Sequence, residues 1–217
     1  TFTGSVAGTL YNCSNSNTAI GLGASGVGNI PSFVTTNTTN ATIVGTITAI
    51  PIYNNAGVSC TGASTSFNIS VNPRPTVNMV TSQELCTGSS TTAVVFSGFV
   101  PNTNYNWTNS NTTIGLGASG VGNIPSFTTI NTGTLPQVAT ITITPTYSNL
   151  GLTCTGSSRQ FTYTVNAVPS IANITETICS ETRFTTIPVD GGVDANIVPP
   201  NTKYTWTIAA NPNVSGQ

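Results

Sequence analysis

Without a histidine in its 217 residues, the chain must find any reactive chemistry among five cysteines and five carboxylates. The carboxylates are Glu84, Glu176, Glu181, Asp190 and Asp194. A hydrolytic mechanism built on paired carboxylates needs both groups beside one bond. None lies before residue 76, and only Glu84 lies between 76 and 167, so no such pair is available within either stretch. The absence of histidine also removes the ordinary Ser–His and Cys–His nucleophile pairs. The chain is therefore expected to be no enzyme and to carry no cofactor. Hard cations such as calcium want several carboxylate oxygens. Only the DGGVD stretch, with Asp190 and Asp194, supplies two, and its glycines read as a turn, so no metal site is expected.

The sequence GLGASGVGNIPS, present twice, superficially resembles a phosphate-binding glycine loop. It lacks the GK[ST] ending, and no helix pattern follows to supply the dipole that such loops use. It is expected to be a structural loop, anchored by Leu22 and Ile30 in one occurrence and by Leu116 and Ile124 in the other. Carbohydrate recognition would need exposed aromatic faces. Most aromatics fall at recurring positions or on inward strand faces, and Phe99 and Phe184 are the exceptions.

The doubled loop belongs to a larger repeat. Residues 17–33 recur at 111–127, 94 positions later, with a single mismatch. The same offset relates Phe2 to Phe96, Tyr11 to Tyr105, Tyr53 to Tyr147, Cys60 to Cys154 and Phe67 to Phe161. A period of that length signals an array of whole domains rather than a solenoid. The expected division is a repeat lacking its first strand over 1–73, a complete repeat over 76–167 and the start of a third over 170–217. Thr1 falls in mid-pattern, so the outer boundaries read as truncation and a missing signal peptide says nothing about export. The junctions VNPRP (71–75) and VNAVP (165–169) are short and proline-bearing, which favours a stiff rod.

Within the repeat every signal is for strands. In VATITITPTY (138–147), Ala139, Ile141, Ile143 and Tyr147 alternate with threonines, giving one apolar and one hydroxylated face. Pro145 is expected at a bulge or strand edge. FTYTV (161–165) points Phe161, Tyr163 and Val165 inward. TTAVVFSG (91–98) and NTNYNWT (102–108) supply further strands. About seven short strands in a repeat of this size predict tandem, all-β, immunoglobulin-like antiparallel sandwiches. Cys86 and Cys154 are expected to form the disulfide of the complete repeat, contributing about 2–4 kcal/mol. Cys60 and Cys179 would pair outside the chain. Cys13 stands where the complete repeat has Trp107, and is read as a buried thiol rather than a partner for Cys60. Paired cysteines imply an oxidising, extracytoplasmic compartment.

The stretches TICSETRF and PVDGGVDANIVPPNTKYTWTIAANPNVSG, together with IGLGASGVGNIPSFTTINTG, ATITITPTY and CTGSSRQFTYTVN, resemble the PKD-like repeats of very large surface proteins of Bacteroidota. The similarity runs along essentially the whole chain, departing at Cys13, where tryptophan is expected. It implies a stalk or adhesin segment, exported by type IX secretion and linked to adhesion or gliding motility, with no catalytic residues to carry over.

Partners follow from charge. Four basic residues in a chain of net charge −1 cannot neutralise a nucleic-acid backbone or hold an anionic membrane. No apolar stretch is long enough for a membrane-spanning helix. The expected partners are neighbouring repeats, other copies of the protein or surface glycans. In IVGTITAIPIY (43–53), Ile50 and Ile52 replace Thr144 and Thr146 on the outward face, which marks a candidate contact surface. An extracellular filament subunit and a carbohydrate-binding appendage of a secreted enzyme are the alternative roles.

Overall fold

A computed structural model describes residues 1–179, 181–191 and 195–207. The first repeat is built from β1 (Leu10–Asn15), β2 (Ser25–Val27), β3 (Ile43–Asn55), β4 (Val58–Thr61) and β5 (Thr65–Val71), and the second from β6 (Gln83–Cys86), β7 (Asn104–Asn109), β8 (Ser119–Val121), β9 (Gln137–Asn149), β10 (Leu152–Thr155) and β11 (Arg159–Asn166). One-turn 3₁₀ helices at Thr18–Ile20 and Thr112–Ile114 are the helical elements among the described residues. The all-β class is as the alternation predicts.

Each sheet is organised around one long strand. β9 pairs with β7 on one side, and with β11 and then β10 on the other. Its alternation decides the faces: Ala139, Ile141 and Ile143 are buried, while Thr142 and Thr144 bond outward-facing neighbours Gln160 and Ser158. Pro145 sits between the end of the β11 pairing at Ile143 and the start of the β10 pairing at Thr146. Its missing N–H therefore costs no ladder bond on that side, although β9 is a central strand rather than the edge expected. β11 buries Phe161, Tyr163 and Val165 as its pattern predicts.

The second repeat's inner face is covered by extended segments. Val77, Val94, Phe96, Leu116 and Ile124 close over the buried sheet residues. The expected strand over 91–98 is reduced to an isolated bridge between Val94 and Ile124, with another between Ser90 and Thr128. β6 also departs from the antiparallel expectation, pairing in parallel with β11. The chain turns away after Cys86 through Gly88, whose positive φ of 82° suits glycine. The covering layer is therefore held by scattered bonds rather than a continuous ladder.

Candidate functional site

The repeated glycine loop is held from within. Asn17 and Asn111 cap the 3₁₀ turns through their side-chain oxygens. Asn15 Nδ2 donates to the carbonyls of Leu22 and Gly23, and Asn109 Nδ2 does the same for Leu116 and Gly117. The loop then returns as a short strand, β2 on β1 and β8 on β7. Gly122 N–H donates to Tyr105 O, and Gly28 N–H to Tyr11 O. The loop's carbonyls are thus taken by asparagine side chains and its returning strand by the sheet. Leu116 and Ile124 are buried anchors as expected, whereas Leu22 and Ile30 are half-covered. Ile20 and Ile114, fully buried in the two turns, are further anchors that periodicity alone does not single out.

Trp107 decides how this loop packs. A Cβ on Gly120 would lie 2.3 Å from the Trp107 ring, so only glycine fits there. In the first repeat Cys13 takes the tryptophan's place, and Gly26 meets nothing within 4 Å. The space left is a cavity of about 270 Å³ lined by Cys13, Leu22, Ile30 and Ile47 among others. Cys13 is free and only partly buried.

The cysteine pairing expected from sequence is corrected. Cys86 and Cys154 are both free. Cys86 lies opposite Asn166, near the Gln137 end of β9, whereas Cys154 lies opposite Tyr147. Ten residues of extended strand separate those levels, roughly 30 Å, far beyond the reach of a disulfide. Cys13 and Cys60 are free as well, on strands that flank β3 from opposite sides.

Among the described residues the carboxylates do not gather. Glu84 accepts a hydrogen bond from Asn166 Nδ2, and Asp190 Oδ1 accepts from the backbone N–H of Val198. Asp194 lies outside the described residues. Among the described residues no three of His, Cys, Asp and Glu come together, and no helix is long and apolar enough to cross a membrane. Phe99 and Phe184 are exposed, as are Tyr204 and Trp206.

Two surfaces remain. Val27, Asn12 and Ile50 lie in one row across β2, β1 and β3, with Leu10 beside Ile52 in the next row. Val27, Leu10 and Ile50 are exposed, and Ile52 is half-buried. The second repeat has Val121, Asn106 and Thr144 in the first row, then Asn104 and Thr146. The outward face of the first repeat thus carries Leu10, Ile50 and Ile52 where its counterpart carries Asn104, Thr144 and Thr146.

The other surface is the junction between repeats. Asn149 Nδ2 donates to Thr42 Oγ1 at 2.7 Å and to Asn72 Oδ1 at 3.2 Å, while Asn72 Nδ2 donates to Asn149 O. Arg74 Nε donates to Thr155 O. Pro73 and Pro75 are fully buried. A Cβ on Gly156 would lie 1.9 Å from Pro75 O, so the second repeat's β10–β11 connection sits directly on the junction. In the next junction Val168 and Pro169 are exposed.

No known family matches the chain, and no curated protein does. Among solved structures it is similar to surface layer protein SbsC, domains 1–6, at 15% identity and a TM-score of 0.25. The match covers 75% of this chain and 21% of that one, so this chain spans about a fifth of its neighbour's length.

Proposed function

We propose that this chain is a structural and adhesive stretch of a large secreted or cell-surface protein, a stalk that spans distance and presents binding regions. The observation that carries this reading is the junction. Its two prolines are buried, its asparagines bond across the repeats, and Gly156 packs closely on Pro75. Loosely strung domains share few contacts across an exposed linker, whereas this junction buries Val71, Pro73 and Pro75 and carries several hydrogen bonds. A fixed angle between repeats is what a stalk requires. On this reading the chain performs no catalysis and needs no cofactor. The PKD-like resemblance extends the proposal to export by type IX secretion and a part in bacterial adhesion or gliding.

Small-angle scattering tests the stalk. The chain should fit one narrow distribution of inter-repeat geometry, and Gly156→Ala should broaden it by forcing the β10–β11 connection off Pro75. A native chain already as broad as the variant would sink the reading.

A further inference from the structure

Residues 1–175 hold two basic side chains, Arg74 and Arg159, and one acidic side chain, Glu84. The arginines are 85 positions apart in sequence, yet the fold brings both to one pocket of about 350 Å³. Buried Pro75 and Val77 form its floor, and exposed Thr76 and Ser157 add hydroxyls at its rim. No carboxylate lines it. Glu84 lies opposite Thr164, five residues along β11 from Arg159, about 16 Å away, and is bonded by Asn166. Exposed charges that far apart are largely screened from each other. The two guanidiniums therefore form an uncompensated positive pair on a surface otherwise almost free of charge.

The pair is oriented and belongs to a longer groove. Arg74 Nε donates to Thr155 O at 3.2 Å, which fixes the guanidinium plane and leaves the terminal Nη donors for a ligand. Arg159 also borders a second pocket of about 370 Å³, lined by Thr142, Ser158, Gln160 and Met79 among others. Met79, the single methionine of the chain, is 84% exposed there. The fold itself demands neither arginine. Thr65 opens β5 opposite Ala49 in the register by which Arg159 opens β11 opposite Ile143. The next junction has Val168 where this one has Arg74, and the first repeat has Ala63 where the second has Ser157.

We propose that this groove binds an acidic polysaccharide. Arg74 and Arg159 hold one carboxylate or sulfate ester of a sugar residue, an anion whose paired oxygens match the planar guanidinium fork. Thr142, Ser158 and Gln160 meet the hydroxyls of the adjoining sugar, and Met79 lies against its ring. Charge complementarity selects the anion, and the uncharged hydroxyls and amide beside it select a sugar as its carrier. Two guanidiniums suffice for one anionic group, whereas the dense charge of a nucleic acid requires many. The proposal deepens the adhesive part of the proposed function by naming its ligand class. It rests on that reading for its setting alone, since loss of sugar binding would leave the inter-repeat geometry seen by scattering unchanged.

Biolayer interferometry of the 217-residue chain on immobilised polygalacturonate, dextran sulfate and unmodified dextran provides the test. The chain should bind at least one acidic polymer and not dextran, and the polymer that responds tells carboxylate from sulfate. Arg159→Thr and Arg74→Val, which install the residues of the other copies, should each weaken binding about tenfold with an unchanged circular dichroism spectrum. Arg159→Lys keeps the charge without the fork, and its affinity should fall between those of Arg159→Thr and the native chain. Arg183→Gln, outside the groove, should bind as the native chain does. Failure to bind either acidic polymer, equal binding to dextran or to polyglutamate, or an affinity indifferent to both Arg74→Val and Arg159→Thr would overturn the proposal.

Discussion

Tyr163 shows how little polar chemistry the interior tolerates. It is fully buried between Phe127 and Phe161, each ring at 5.2 Å, and its hydroxyl has no hydrogen-bond partner. Burial pushes its pKa up from 10.0 to about 12. In the unfolded chain the phenol loses its proton near its ordinary value, while the folded chain holds it neutral. Stability should therefore be unaffected by this group below pH 10 and fall between pH 10 and about 12. Denaturant titrations across that range check it, and Tyr163→Phe should remove most of the fall. At neutral pH the same variant should be neutral or stabilising by up to about 1 kcal/mol, because an unbonded buried hydroxyl contributes no hydrogen bond to lose. The cysteines are the other lesson at this scale. Their spacing and number suggest a bridge, but the pairing turns on which end of the sheet each occupies. Parallel addition of β6 carries Cys86 to the end opposite Cys154, and parallel pairing leaves no mark in so short a strand.

Among the elements, the long threonine-rich strands were the most legible, because alternation over a dozen residues leaves only one face to bury. The covering layer was not. Val94 and Phe96 are core residues as their apolar character suggests, yet TTAVVFSG makes a single bridge instead of a strand. Its hydrogen bonds go to whichever segment crosses it, including Asn123 Oδ1 for the Phe96 amide, and local sequence does not encode those partners. The glycine loop behaves as an element because Trp107 packs on Gly120. Gly120→Ala should destabilise the second repeat by about 1–3 kcal/mol through overpacking. The equivalent Gly26→Ala should change stability by less than about 0.5 kcal/mol, since Cys13 leaves that space open. Chemical denaturation of the two variants side by side checks the difference.

For the whole molecule, near-absence of charge shapes what the surface can do. Contacts between repeats and between chains must rest on hydrogen bonds and apolar faces, because 4% charged residues supply little else. The face with Leu10, Ile50 and Ile52 is more apolar than its counterpart in the second repeat, and Ile50 and Ile52 were singled out by comparing two copies rather than by composition. If this face holds a surface or partner, restoring the second repeat's residues with Ile50→Thr and Ile52→Thr should weaken retention about tenfold, the loss of roughly 1–2 kcal/mol of apolar burial. Flow-chamber retention of coated beads checks it, and equal retention of variant and native chain would exclude the face.

Composition and periodicity by themselves determined the all-β class, the 94-residue repeat, the inward faces of β9 and β11, and the shortage of catalytic groups. Those properties are local or statistical, and the two-residue period of a strand writes them directly into the chain. Only the tertiary structure decided that Cys86 and Cys154 stand at opposite ends of the sheet, and that Asn72, Thr42 and Asn149 meet across the junction. Each depends on which distant strand lies beside which, and in what direction. Pairing of that kind is chosen by burial over the whole repeat and is carried by no single stretch of sequence.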